Sequence, residues 1–337
     1  MRVNGGALIG RSKKFLDVVR KIPRLAGCHA TVLVSGETGT GKDLYARAIH
    51  YQSPRKSRPF VPVNCAALPD HLVESELFGH IRGAFTDAAC DRKGLLEEAE
   101  GGTLFLDEVN SLSLSAQGKL LRFLQDREYR PLGSNKHRVG DVRIIAATNR
   151  DLRSLVQELR FREDLYHRLN ILSVYLPPLR ERSDDILFLA HHFLTTIGDE
   201  HGRPELGLSA TARQKLLAYD WPGNVRELQS VIQRSVIWSA SVQLESEDID
   251  LPQGDQTLSS DQPATGRAIG ASEDGLRFGV AKLKAMQEFE RGYLLNLLAQ
   301  YAGNLTQAAK AAGTGRRSLQ RLLQRHQLDR RAFAKSA

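Results

Sequence analysis

The chain has 337 residues, 41% hydrophobic and 26% charged, enough for a sizeable core and a length of about two domains. No apolar run approaches the roughly 18 residues a membrane span needs, the first residues carry no secretory signal, and three cysteines (Cys28, Cys65, Cys90) without ligand spacing fit neither a disulfide framework nor a metal site. Membrane, collagen-like and secreted disulfide-rich classes are excluded, and a reducing cytoplasm is expected. The net charge of +8 is uneven: residues 281–337 carry 11 basic and 3 acidic side chains, a net of +8, so the remainder nets zero. A basic tail on a neutral body suits a polyanionic partner such as nucleic acid, or is simply a solvated surface.

In chain order, Thr31–Val34 reads as a buried strand, and Lys42–His50 as a helix. Gly102–Leu106 is a second apolar strand, Ser115–Asp126 a second helix and Val142–Ala147 a third strand. This alternation predicts an α/β fold with a mainly parallel sheet. After Pro178 the pattern turns helical over Asp184–Gly198, Ser209–Tyr219 and Asn224–Ser239, with Ser209 and Asn224 as N-caps. The expected organisation is an α/β subdomain over 1–178, a helical lid over 179–251, a Gly/Ser/Asp/Gln/Pro-rich linker over 252–275 and a compact helical domain over 276–337.

Gly36-Glu37-Thr38-Gly39-Thr40-Gly41-Lys42 fits the first seven positions of the P-loop, between a predicted strand and a predicted helix. Glycines let backbone N–H groups turn toward phosphate oxygens, the helix start adds its positive end, and Lys42 would neutralise the β- and γ-phosphates of ATP. Asp43 stands where Ser or Thr usually holds Mg²⁺; it could hold the metal through water or favour the helix N-terminus. The strand ending in Asp107-Glu108 brings two carboxylates to the sheet edge where the P-loop sits. Asp107 would anchor Mg²⁺ and Glu108 polarise the attacking water. The third strand ends in Thr148-Asn149; Asn149 could touch the water or γ-phosphate, or serve as a turn residue.

Together with Glu76-Leu77-Phe78-Gly79-His80, Gly83-Ala84-Phe85-Thr86-Asp87-Ala88, the run Phe161–Leu169, Leu176–Arg182 and Trp221-Pro222-Gly223-Asn224-Val225-Arg226, the chain resembles the AAA+ domain of bacterial sigma-54-dependent transcriptional activators from about Leu8 to Leu251. The resemblance implies a ring, usually a hexamer, with ATP between subunits. It implies that Gly83–Ala88 is the loop that engages sigma-54, that Arg162 and Arg168 reach a neighbour's γ-phosphate, that Arg226 bridges lid and nucleotide, and that Asn64 restrains Glu108. In this family an acidic residue after the P-loop lysine is ordinary, as at Asp43. On one ideal helix, residues six apart face about 120° away from each other, so Arg162 and Arg168 converge only if that segment is broken. Two positions depart from the family: Asp87 replaces the second glycine of GAFTGA, and Ile81 stands where a charged residue is usual.

Asn304–Leu328 reads as helix-turn-helix: Thr306–Ala312, a turn at Gly313-Thr314-Gly315, then Arg316–His326 with Leu319, Leu322 and Leu323 inward. Arg316, Arg317, Ser318, Gln320 and Arg321 are the candidate DNA contacts. This resembles the Fis-type domain that ends such activators. Met286, Phe289, Tyr293 and Leu297 form a stripe for a dimer contact or for packing within one chain. The expected function is a DNA-bound ATPase that remodels the closed sigma-54 RNA polymerase complex; the alternatives are a repressor or co-activator with a vestigial ring, or a clamp-loader-like remodeller. The chain begins almost at the ATPase domain, so control is expected from a separate regulatory protein unless the chain is truncated.

Overall fold

The computed structural model describes residues 2, 3, 6–67, 69–85, 88–239 and 241–251, and in the tail 294, 297, 298, 301, 304–311, 320 and 323. Residues 1–255 and 256–337 form two compact units. In the first, five parallel strands make the central sheet: β1 (Val32–Ser35), β2 (Phe60–Asn64), β3 (Thr103–Asp107), β4 (Arg143–Thr148) and β5 (Leu172–Tyr175), in the order β2-β3-β4-β1-β5. Helices α1 (Lys42–Tyr51), α2 (Leu114–Asp126) and α3 (Glu163–Leu169) connect them.

The three central strands are the predicted ones, within one residue at each end. They are covered on both faces, so each residue finds a core whichever way it points. Leu104, Leu106, Ile144 and Ala146 enter one core with Leu120 and Phe123 of α2. Phe105, Ile145 and Ala147 enter the other with Val32, Val34 and Tyr45, Ala48 and Ile49 of α1. Asn64 pairs with Asp107 across β2 and β3, and Ser35 with Thr148 across β1 and β4. The carboxyl ends of these strands therefore meet at one edge, where ligands of open parallel sheets bind.

The lid follows as a turn at Leu179–Glu181 and helices α4 (Asp184–Glu200), α5 (Ala210–Ala218) and α6 (Asn224–Trp238). Leu179, Ile186, Leu189, Trp221, Leu228 and Ile232 are buried in its core. Trp221 is fully enclosed, and its indole N–H donates to the Leu216 carbonyl at 2.9 Å. Ser209 caps α5 as expected, accepting from the Ala212 N–H. Asn224 does not cap α6. It is the first helical residue, at φ 54°, and its buried side chain points back toward the P-loop.

In the second unit, helix α7 (Leu305–Ala311) begins one residue before the predicted one. Leu294, Leu297, Leu298, Leu305, Ala308, Ala309 and Leu323 are buried together. Gln320 is helical and exposed. The candidate contacts Arg316, Arg317, Ser318 and Arg321, the expected turn at 313–315, the linker over 252–275, and Met286, Phe289 and Tyr293 lie outside the described residues, as do Thr86 and Asp87. Among the described residues, no helix is long and apolar enough to cross a membrane.

Candidate nucleotide site

The P-loop joins β1 to α1 as anticipated. Gly41 precedes α1 at φ 97°, in the left-handed region that glycine enters at little cost. Gly39, at φ 80°, lies under the lid: a Cβ there would fall 2.2 Å from the Gly223 carbonyl oxygen. The Val225 N–H donates to the Gly39 carbonyl at 3.1 Å, so the loop and α6 touch through backbone.

Lys42 is buried, and its ammonium donates to the Gly36 and Glu37 carbonyls at 2.8 and 3.0 Å. Burial pushes its pKa down, while the Asp107 and Glu108 carboxylates work against that shift. Asp107 accepts from the Glu108 N–H at 3.0 Å. The Asn149 amide donates to Thr38 Oγ1 at 3.2 Å and to Glu108 Oε1 at 3.3 Å, so Asn149 bridges the P-loop and Glu108. Asn64 makes no such contact: its Oδ1 accepts from the Ala66 N–H in its own loop. In this structure the amide that bonds Glu108 is that of Asn149 and not that of Asn64. Asp43 is paired with Arg47 one turn along α1, both carboxylate oxygens accepting from its Nε at 3.0 and 3.2 Å.

Glu37 carries a role that its place in the P-loop did not announce. It accepts from both Nη atoms of Arg180, at 2.5 and 2.8 Å, and from the Asn224 amide at 3.1 Å. The Arg180 hydrogen bond holds the Glu37 carboxyl below its usual value, with burial opposing. Asn224 also donates to the Thr38 carbonyl and accepts from the Leu179 N–H at 2.7 Å. Asparagine suits a cap by residue type, but the positive φ of Asn224 is not encoded in spacing.

These groups line a cleft of about 440 Å³. Thr38–Asp43, Asp107, Glu108 and Arg226 are among its polar lining, and Leu8, Ile9, Phe15, Leu44, Leu189, Phe193 and Val225 among its apolar lining, with Arg182 beside Phe15. A P-loop with its lysine and a second cation, sharing a cleft with apolar side chains, is chemistry that suits a nucleoside triphosphate.

Arg162 and Arg168 do not line this cleft. Arg162 is not on α3; it precedes it in an extended conformation, φ −76° and ψ 132°, so the segment is broken at that residue. Its guanidinium donates to both oxygens of Asp164 at 2.7 and 3.0 Å. Arg168 is on α3 and exposed. The Gly83 N–H donates to the Ala88 carbonyl at 2.9 Å. The Phe85 ring rests edge-on against His80, centroids 5.0 Å apart, and His80 Nδ1 is bonded to Ser75 Oγ at 2.7 Å.

Residues 8–175 match the family described as the sigma-54 interaction domain, and residues 180–265 the AAA+ ATPase lid domain. The chain is 43% identical over 324 residues to regulatory protein AtoC of Escherichia coli (strain K12), covering 96% of this chain and 68% of that one. It is 53% identical over 232 residues to the Nif-specific regulatory protein of Azotobacter vinelandii, covering 69% of this chain and 44% of that one. The crystal structure of NtrX from Brucella abortus in complex with ATP superposes with a TM-score of 0.67 at 31% identity, covering 96% of this chain and 70% of that one. The parallel sheet, P-loop and helical lid are thus those of an AAA+ P-loop NTPase, and the chain belongs to the family of sigma-54-dependent transcriptional activators.

Proposed function

We propose that the chain binds MgATP in the cleft, hydrolyses it in an assembled ring, and uses the cycle to remodel a closed sigma-54 RNA polymerase complex at promoter DNA. The observation that carries this is the meeting of Lys42, Asp107, Glu108, Asn149 and Arg226 around one P-loop. Lys42 exchanges its two loop carbonyls for phosphate oxygens. Asp107 would hold Mg²⁺, which would supply charge neutralisation to the triphosphate. Glu108 takes a proton from a water that attacks the γ-phosphorus, releasing ADP and phosphate. Asn149 orients Glu108, and Arg226 ties the lid to the nucleotide.

Because Arg162 and Arg168 lie outside their own chain's cleft, they suit a neighbour's γ-phosphate, which favours a ring of like subunits, a hexamer by family resemblance. Arg162 must first leave Asp164. Phe85 must likewise leave His80 before the loop of Gly83, Ala84, Phe85, Thr86, Asp87 and Ala88 can meet sigma-54. The basic tail, through Arg316, Arg317, Ser318, Gln320 and Arg321, holds double-stranded DNA upstream.

Paired ATPase and open-complex assays test the reading. Phe85→Ala should lose open-complex formation with turnover intact, and Asp87→Gly should keep or improve it. A second reading is favoured by Asp87, a charge in place of the loop's glycine: if wild type makes no open complexes while Asp87→Gly does, the chain is a DNA-binding repressor or co-activator impaired in remodelling.

A further inference from the structure

Three buried side chains among the described residues keep a polar nitrogen without a partner: His50, Arg143 and Arg182. His50 is closed into the core, its other ring nitrogen bonded to Thr103. Arg143 donates to the Leu25 and Ala26 carbonyls, so its guanidinium is largely satisfied by protein. Arg182 differs from both. Its side chain is only 2% exposed, yet it makes no hydrogen bond, and it lines the nucleotide cleft. It lies over the Phe15 ring at 4.7 Å, and its closest anion is Asp185, 4.0 Å away. Asp185 is already engaged, accepting from the Arg11 N–H at 2.6 Å and from the Ser12 N–H and hydroxyl at 2.8 Å each.

A buried cation whose Nε–H lacks an acceptor is costly, and a cation–ring contact offsets only part of that cost. Such a group is stable in one place for a reason, and the cleft supplies one. Arg182 lines the cleft against Phe15, whereas Lys42 and Arg226 act on one another beside the Asp107 and Glu108 carboxylates; the apolar side chains that share the lining suit a nucleoside rather than phosphates. We propose that Arg182 reads the nucleoside: its guanidinium donates to a lone-pair acceptor there, a purine ring nitrogen or a ribose oxygen. A bound nucleoside then gives the Nε–H the acceptor that the protein's own groups do not provide, and that bond adds to affinity. The inference rests on the nucleotide reading of the cleft and adds to it the residue that recognises the base or sugar.

The test compares wild type with Arg182→Met, which keeps volume and removes the charge. Asp185 keeps its hydrogen bonds from Arg11 and Ser12, so the variant should fold, and its ligand-free melting temperature measures what the Arg182–Asp185 pair contributes. ATP affinity should fall about tenfold or more, the size of a lost charged hydrogen bond. Inorganic tripolyphosphate, which has no nucleoside, should bind both proteins equally. A panel of 1-, 3- and 7-deaza-ATP and 2′-deoxy-ATP finds the acceptor: the analogue that loses affinity for wild type but not for Arg182→Met lacks the atom that Arg182 reads.

Equal ATP affinity in the two proteins overturns the proposal and leaves the nucleotide reading intact. So does a parallel loss of tripolyphosphate and melting temperature, which would make Arg182 a structural partner of Asp185. If wild type binds neither ATP nor tripolyphosphate, both readings fall. Should Arg182→Met not fold, Arg182→Gln replaces it; a wild type indifferent to every analogue overturns the proposal without any variant.

Discussion

Glu108 stands at φ 52° and ψ 48°, a left-handed conformation that costs a side-chain-bearing residue roughly 1–2 kcal/mol. Two contacts hold it there: its N–H donates to Asp107 and its carboxylate accepts from Asn149. The turn keeps the carboxylate at the cleft beside Asp107 instead of continuing the strand. Strained residues gather at functional sites because only the surrounding structure can hold them. Glu108→Gln preserves the shape and the Asn149 bond but cannot accept a proton. It should bind ATP as wild type does while turnover falls by about 10²–10⁴, the usual contribution of a general base. Lys42→Ala should instead lose ATP affinity by about 10–100-fold, since a charged hydrogen bond to phosphate is gone. Nucleotide titration and phosphate release on the two variants separate the roles, and normal turnover in Glu108→Gln would remove Glu108 as the base.

At the scale of elements, the joint between P-loop and lid is polar and built around Asn224. Its Oδ1 satisfies the buried Leu179 N–H, and its amide reaches Glu37 and the Thr38 carbonyl. Asn224→Ala takes the partner from the buried Leu179 N–H and one donor from the Thr38 carbonyl, while Glu37 keeps Arg180, and it puts a methyl side chain at φ 54°, which asparagine tolerates better. We expect a loss of about 1–3 kcal/mol in urea unfolding, the cost of an unsatisfied buried donor; a change within 0.5 kcal/mol, roughly the spread of neutral surface substitutions, would contradict this. The Glu37–Arg180 pair makes a second, titratable link. Because Arg180 lowers the folded-state pKa of Glu37, the contribution of this link is present above the ordinary carboxylate value and fades as pH falls through the folded one. In Arg180→Ala the Glu37 carboxyl should titrate higher, as read by NMR; an unmoved value would show that the pair is not what shifts it. None of this joint was legible beforehand. Central strands such as Ile144–Ala147 announce themselves because both faces are buried. Edge strands β2 and β5 are covered unevenly, with Pro62 inside β2 and Tyr175 exposed at the end of β5, so no continuous apolar run marks them. The P-loop and the Asp107-Glu108 pair were readable because their chemistry fixes residue types at fixed spacing. The clamp that joins them to the lid pairs Glu37 with residues more than 140 positions away, which no local pattern records.

Across the whole molecule, the cleft is lined by Lys42, Asp107, Glu108 and Arg226 but by neither Arg162 nor Arg168. Helical spacing set those two about 120° apart; the break before α3 frees Arg162 from the helix and leaves Arg168 on it, so the two are aimed independently. If the ring joins subunits head to tail, each site combines Glu108 of one chain with an arginine of the next. Two inactive variants should then rescue each other. Glu108→Gln has a dead site but an intact arginine to offer; Arg168→Ala has an intact site but nothing to offer its neighbour. In a randomly mixed equimolar ring, half the sites belong to the arginine variant and half of those face a Glu108→Gln neighbour, so about a quarter of wild-type turnover should return. Running the same mixture with Arg162→Ala identifies which arginine crosses the interface: the one that acts there restores activity on mixing. An arginine serving only its own chain yields no more activity in the mixture than the two variants give apart. If neither mixture recovers turnover while both variants still assemble, catalysis is completed within one subunit and the ring is needed only downstream of hydrolysis.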